Sequence, residues 1–155
     1  TLVFPLTDKS GSLKNPEKII LSADNWYGSL YYSISTFTHR KNTWYALLGF
    51  DFNNNFSNKK CIEILQFEHN EPVFGGEIKV DKEENKRLIF EYSSNVVMYL
   101  RFDDNLQQIV FDHLVPLEPI FRGAFRFYVP DGSYNGLSFK NGTFTFEKNV
   151  DARNY

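Results

Sequence analysis

The sequence predicts an all-β fold: an antiparallel meander of about ten strands, built as a sandwich or a barrel and preceded by a long N-terminal loop. Three observations carry this reading. Large apolar residues recur at every second position, as in Phe144-Thr145-Phe146, Phe125-Arg126-Phe127, Leu88-Ile89-Phe90-Glu91-Tyr92 and Val96-Val97-Met98-Tyr99-Leu100-Arg101-Phe102. A period of two puts alternate side chains on one face of a pleated strand. Aromatic residues make up 17% of the chain, and rings suit a half-buried pleated surface. The intervals between the runs are short and rich in turn formers, which favours antiparallel neighbours.

Residues 6–25 are polar and turn-rich, with Asp8-Lys9-Ser10-Gly11, Asn15-Pro16 and Ser22-Ala23-Asp24-Asn25. They read as a long ordered loop with one helical turn from Pro16. Strands follow at Gly28–Phe37 and Thr43–Phe52 around the turn 38–42, then at Lys60–Phe67 after the Asn-rich loop 53–59. Val73–Val80 is a weaker strand, in which Gly75-Gly76 marks a bulge or a close backbone approach. The mixed-sign cluster from Lys79 to Arg87 reads as a solvated hairpin end. Arg87–Tyr92 and Val96–Asp103 flank Ser93-Ser94-Asn95 as a hairpin, and Gln108–Leu114 follows. Pro116 and Pro119 make 115–121 a crossing, because each removes a ladder donor. Ala124–Val129 is a strand, 130–136 a loop, and Leu137–Phe146 a hairpin about Asn141-Gly142, the strongest short hairpin signal. Residues 148–155 read as a tail.

Parity selects the inward face: Trp44, Leu48 and Phe50; Leu88, Phe90 and Tyr92; Val96, Met98, Leu100 and Phe102; Phe125 and Phe127; Phe144 and Phe146. Ile62 and Ile64 alternate with Cys61, Leu65 and Phe67, so that strand is covered on both sides. Glu63 and Glu91 fall on outward positions. An open sheet of this width curls or splits into two layers, and both a sandwich and a barrel satisfy that. The 155 residues form one domain, 1–155.

The charge of -2 and the lack of a Lys/Arg stripe speak against nucleic acid as a partner. No apolar run is long enough to cross a bilayer as a helix. The lone Cys61 excludes an internal disulfide framework and reads as a buried, inert thiol. No cofactor motif is present.

Asp51-Phe52-Asn53-Asn54-Asn55-Phe56-Ser57 places oxygen donors at alternate positions, like the opening of a calcium loop. Phe56 occupies the tight-turn glycine position and Ile62 that of the bidentate Glu, so an EF-hand is rejected. A looser calcium or glycan contact through Asp51, Asn53 and Asn55 stays open beside a self-capped hairpin loop. Trp26-Tyr27, beside polar turn residues, suit either stacking on a sugar or peptide or anchoring the core. Asp112-His113 with Ser133 contains hydrolase residue types without a nucleophile elbow. Asp112 reads instead as a bond to loop backbone, and Asp112, His113 and Asp131 as contact residues. His39, His69 and His113 are far apart in sequence, without metal-ligand spacing.

Further segments match a known family in order. These are Pro5-Leu6-Thr7-Asp8-Lys9-Ser10, Asn15-Pro16-Glu17, Ser22-Ala23-Asp24-Asn25-Trp26-Tyr27-Gly28 and Leu47-Leu48-Gly49-Phe50-Asp51. Asn58-Lys59-Lys60, Ile109-Val110-Phe111-Asp112-His113-Leu114, Pro130-Asp131-Gly132-Ser133-Tyr134 and Asp151-Ala152-Arg153-Asn154 complete the set. Together they resemble a family of Bacteroidota envelope proteins without an established activity. A further likeness is to the accessory protein that plugs the periplasmic mouth of the type 9 secretion translocon. Phe50 stands where the family has Trp, and Asp51-Phe52 where it has Asp-Gly, which weakens any special role for the Asp51 loop.

The resemblance implies a periplasmic or exported, outer-membrane-associated location and an envelope or outer-membrane protein partner. Family members carry a signal peptide and an N-terminal segment. With the start at Thr1-Leu2-Val3-Phe4-Pro5, a strand-like stretch without Met, this implies the C-terminal part of a longer exported protein. The expected role is a non-catalytic interaction module; the alternative is a glycan- or calcium-binding module.

Overall fold

The computed structural model describes residues 1–153; Asn154, which closes the last family-like segment, and Tyr155, the end of the expected tail, lie outside the described residues. The chain forms β1 (Leu30–His39), β2 (Asn42–Asp51), β3 (Ser57–Glu68), β4 (Glu71–Phe74), β5 (Ile78–Val80), β6 (Glu83–Asn85), β7 (Arg87–Ser93), β8 (Leu100–Asp103), β9 (Gln108–Pro116), β10 (Tyr128–Lys140) and β11 (Thr143–Glu147). One sheet runs β1-β2-β3, with β4 and β7 sharing the far edge of β3. The other runs β6-β5-β11-β10-β9-β8. The fold is all-β and sandwich-like, with no closed barrel.

The core between the sheets follows the parity. Trp44, Ala46, Leu48, Ile62 and Ile64 meet Ile78, Leu100, Ile109, Phe111, Leu137 and Phe144, and Met98 is wholly enclosed among them. Phe37 stands edge-on to Phe144 at 5.1 Å and to Phe102 at 5.9 Å between ring centres, the offset geometry that aromatic quadrupoles prefer. Asn141 and Gly142 have φ of 53° and 86° and join Lys140 to Thr143 in a two-residue turn, as the hairpin signal requires.

The N-terminal segment adds a third layer. It carries 3-10 turns at Ser10–Ser12, Pro16–Lys18 and Ala23–Asn25, the last closed by a capping box between Ser22 and Asn25. It crosses the outer face of the first sheet, where Leu21 and Tyr27 pack with Leu47, Cys61 and Phe74. Cys61 and Ile62 therefore serve two separate cores, so β3 is covered on both faces as expected.

Several elements differ from expectation. β5 pairs with β11 in parallel, Ile78 opposite Phe144, so the second sheet is not a pure meander. Gly75-Gly76 ends one strand and moves the chain to the other sheet; a Cβ on Gly76 would meet Ile64 Cγ2 at 2.6 Å. Ser93-Ser94-Asn95 is no hairpin, because β7 and β8 belong to different sheets. The 115–121 crossing continues through a 3-10 turn at Pro119–Phe121. The alternation of Phe125 and Phe127 is not a strand but a further 3-10 turn, closed by Phe127 N–H donating to Ala124 O at 3.0 Å. Phe127 stacks on Phe121 at 4.2 Å while Phe125 faces outward. Finally, 130–136 lies inside β10, whose pairing with β9 is interrupted between Pro130 and Tyr134.

Candidate functional site

Cross-strand register lines up Asp51, Lys59 and Glu91 on the outer face of the first sheet: Asp51 stands opposite Lys59, and Lys59 opposite Glu91. Beside this row lies a cleft of about 580 Å³, walled on one side by the N-terminal segment at Ser10, Asn15 and Glu17 and on the other by Phe125. Glu91 Oε1 accepts from Ser57 Oγ at 2.7 Å and from Asn53 Nδ2 at 3.2 Å, and Asn53 Nδ2 also donates to Ser57 Oγ at 2.9 Å. That triangle fixes the carboxylate. Glu17 Oε1 accepts from Ile89 N at 2.8 Å, and burial raises its pKa. The half-buried Asp51 and Lys59 side chains make neither a hydrogen bond nor an ion pair among the described residues.

The eight residues singled out from the sequence are distributed as follows. Tyr27, Asp51 and Asn53 come together in the cleft. Tyr27 is buried there, and desolvation raises its phenol pKa. Trp26 stays outside: its Nε1 donates to Tyr31 OH at 2.8 Å, and the indole packs in the outer core. Asn55 is exposed on the loop, its carbonyl held by Ser94 Oγ at 3.0 Å. The loop caps itself, since Asn54 Oδ1 accepts from both Phe56 N and Ser57 N. No group of three or more His, Cys, Asp or Glu side chains among the described residues is placed to hold a metal ion, so the calcium reading of this loop gains no cage of ligands.

Asp112, His113 and Asp131 form a second group around the β9–β10 interruption. Asp112 Oδ2 accepts from Tyr99 N at 2.7 Å, and Asp112 N donates to Tyr99 O at 3.0 Å. As a buried carboxyl raised by desolvation, it braces backbone rather than offering a contact surface. Asn135 Nδ2 donates to His113 Nδ1 at 3.1 Å. Asp131 Oδ1 accepts from Ser133 N and Ser133 Oγ, which holds its pKa down. Ser133, His113 and Asp112 are thus each engaged elsewhere, and the relay of a hydrolase triad is not formed.

Outward parity correctly places Glu63 and Glu91 on the face away from the main core, yet Glu63 is fully buried beneath the N-terminal layer. Arg87, expected at a solvated hairpin end, is buried with it.

One further surface stands out. β1 is an edge of its sheet, ten residues long, with no charged side chain from Leu30 to Thr38. Leu30, Tyr32 and Ile34 are 71%, 48% and 62% exposed. The other ends of the two sheets are guarded: β4 is short and contains Pro72, β6 carries Glu83 and Glu84, and β8 carries Arg101 and Asp103. The 3-10 turn Phe125–Phe127 packs beside β7. Proline, charge, shortness and cover are the usual protections of an edge. β1 has only a bulge between Tyr31 and Ser33.

Lys59, Glu91 and Phe125 are among the cleft residues that sequence reasoning missed as a site. For Lys59 and Glu91 the signal is cross-strand register, and for Phe125 it is the packing of its 3-10 turn against β7; one sequence contains neither. No family model, curated protein or solved structure matches the chain.

Proposed function

We propose that this domain is a non-catalytic interaction module of the bacterial cell envelope, which takes an extended segment of a protein partner onto the free edge of β1. The observation that carries the reading is the contrast between β1 and the guarded edges around it. A bare edge supplies main-chain hydrogen bonds to an added strand, and exposed alternate side chains supply specificity. Leu30 and Ile34 are exposed side chains of this edge, one on each face because the bulge between Tyr31 and Ser33 shifts the alternation. The engaged states of Ser133, His113 and Asp112 support contact rather than turnover. The envelope setting, an outer-membrane or periplasmic partner and a role as a secretion accessory rest on the family resemblance.

The test is affinity capture from native bacterial membranes, with the wild type compared with an Ile34→Lys, Thr36→Lys variant of unchanged circular dichroism. A protein held by the wild type and lost by the variant should, once purified, slow hydrogen exchange of the β1 amides. Identical capture by both forms, or protection elsewhere on the domain, would sink the reading.

A further inference from the structure

Two depressions meet at Phe125. The cleft beside Asp51 lies on one side; on the other is a smaller hollow of about 380 Å³ lined by Phe56, Ser57 and Arg126. Phe125 and Glu91 line both, so the two depressions adjoin along a shared wall that carries the Phe125 ring. That ring is 48% exposed, and Tyr128 buttresses it at 4.9 Å between ring centres. Arg126 lies over the rings of Phe56 and Phe127, at 5.9 and 4.8 Å, which positions its guanidinium.

We propose that the two depressions act as one groove that binds a neutral oligosaccharide, with Phe125 as the stacking platform. A sugar hydroxyl donates and accepts at once, so it suits a surface that interleaves acceptors with donors. Asp51 and Glu91 accept, Lys59 and Arg126 donate, and Asn53 does both. The charges of the two depressions balance: Glu17, Asp51 and Glu91 against Lys18, Lys59 and Arg126. A balanced surface gives no field to draw in a strongly charged ligand. Asp51 and Lys59 are unengaged, while Glu91 is already held by Ser57 and Asn53. Glu91 would therefore meet a hydroxyl with little reordering, which favours affinity, while Asp51 and Lys59 have acceptor and donor capacity left to offer. The apolar CH face of a pyranose matches the exposed ring of Phe125, and apolar walls with a few placed polar groups are the usual make-up of a small-ligand site. The strands beneath the groove are paired with one another and present side chains, so an extended peptide finds its main-chain bonds at β1 instead.

The experiment is an NMR titration of isotope-labelled protein with maltohexaose, cellohexaose, laminarihexaose and chitohexaose in turn, with hexagalacturonate as the anionic comparison. At least one neutral probe should give saturable shifts at the amides of Lys59, Glu91 and Phe125. Phe125→Ala should weaken that binding about tenfold or more, and Asp51→Asn should weaken it to a smaller degree. Phe52→Ala, which removes an exposed ring outside both depressions, and Ile34→Lys on β1 should leave it unchanged. Each variant is accepted only if its amide spectrum keeps the wild-type dispersion. Silence of every neutral probe at millimolar concentration, binding indifferent to Phe125→Ala, or preference for hexagalacturonate would each overturn the proposal. The Ile34→Lys arm separates this site from the β1 edge, so either can fail alone.

Discussion

Arg87 on β7 and Glu63 on β3 stand opposite each other in the ladder, and Arg87 Nε donates to Glu63 Oε2 at 2.8 Å with both side chains fully buried. The other two guanidinium nitrogens reach Pro16 O, Ile19 O and Phe74 O. Two of those carbonyls belong to the N-terminal segment, so the pair fastens that segment to the sheet. Taking two charges out of water is expensive, and the arrangement is tenable because the guanidinium finds an acceptor for each of its nitrogens. Glu63 Oε1 has no hydrogen-bond partner among the described residues.

Arg87→Ala should therefore cost about 3–5 kcal/mol in urea unfolding, the usual result of breaking a buried pair from one side. The loss should grow with pH, since Glu63 escapes part of it by taking a proton. Arg87→Met with Glu63→Leu should recover most of the global stability, because apolar replacement of a buried pair is often close to neutral. Limited proteolysis of that double variant should still cut sooner within residues 10–22. A single Arg87→Ala variant as stable as the wild type would remove the fastening role.

The pH dependence has a definite sign. Desolvation raises the Glu63 carboxyl from its ordinary 4.5 to about 7, against the pull of Arg87. The folded state then holds this proton more tightly than the unfolded chain does. The contribution to stability is complete below the unfolded value and is lost as pH rises through about 7. Burial raises Glu17 and Asp112 in the same direction. Asp103 and Asp131 are lowered, and they act only on further acidification, below the ordinary carboxyl value. Unfolding free energy should fall by about 1–3 kcal/mol between about pH 5 and pH 8. Glu63→Gln should flatten most of that fall, and an unchanged slope in this variant would refute the assignment.

Gly142→Val should destabilise the domain by about 1–3 kcal/mol, because a β-branched residue is strained at φ of 86°. A Cβ there would also meet Trp44 Cζ2 at 3.0 Å. Asn141→Gly, by contrast, should stay within about 0.5 kcal/mol of the wild type. Thermal unfolding of the two variants side by side checks both.

Cys61 should label with a thiol reagent only as the protein unfolds. Its thiol is buried, and desolvation pushes its pKa up to about 12, so almost no thiolate exists at neutral pH. Labelling rates followed across urea should track the unfolding curve. Cys61→Ala should cost roughly 1 kcal/mol.

What the sequence makes legible is set by which interactions are local. Asn141-Gly142 announces its turn because both residues must adopt positive φ. The alternation from Val96 to Phe102 places Met98, Leu100 and Phe102 in the core correctly, yet only Leu100–Asp103 is in a ladder. Side chains from elsewhere stand in for the missing strand: Lys60 Nζ donates to Met98 O, Tyr32 OH to Leu100 O, and Tyr99 N donates to Asp112 Oδ2. Phe125-Arg126-Phe127 shows the converse, where the same alternation curls into a turn because Phe127 stacks back on Phe121. The burial of Glu63 and Arg87 was hidden because it depends on a segment roughly forty to seventy positions earlier lying over them. The row Asp51, Lys59, Glu91 was hidden because it exists only once three strands are in register.

The parallel contact between β5 and β11 also bears on the order in which the chain can assemble. Ile78 and Lys79 have no partner beyond β6 until Phe144 and Thr145 are available. Pairings so distant along the chain pay their loop-closure entropy before they gain anything. During synthesis the first sheet has all its strands once β7 has emerged, well before the second, whose middle waits for β11. In that interval the apolar faces of β2 and β3 lack their cover, and the nascent domain is at its most vulnerable to aggregation.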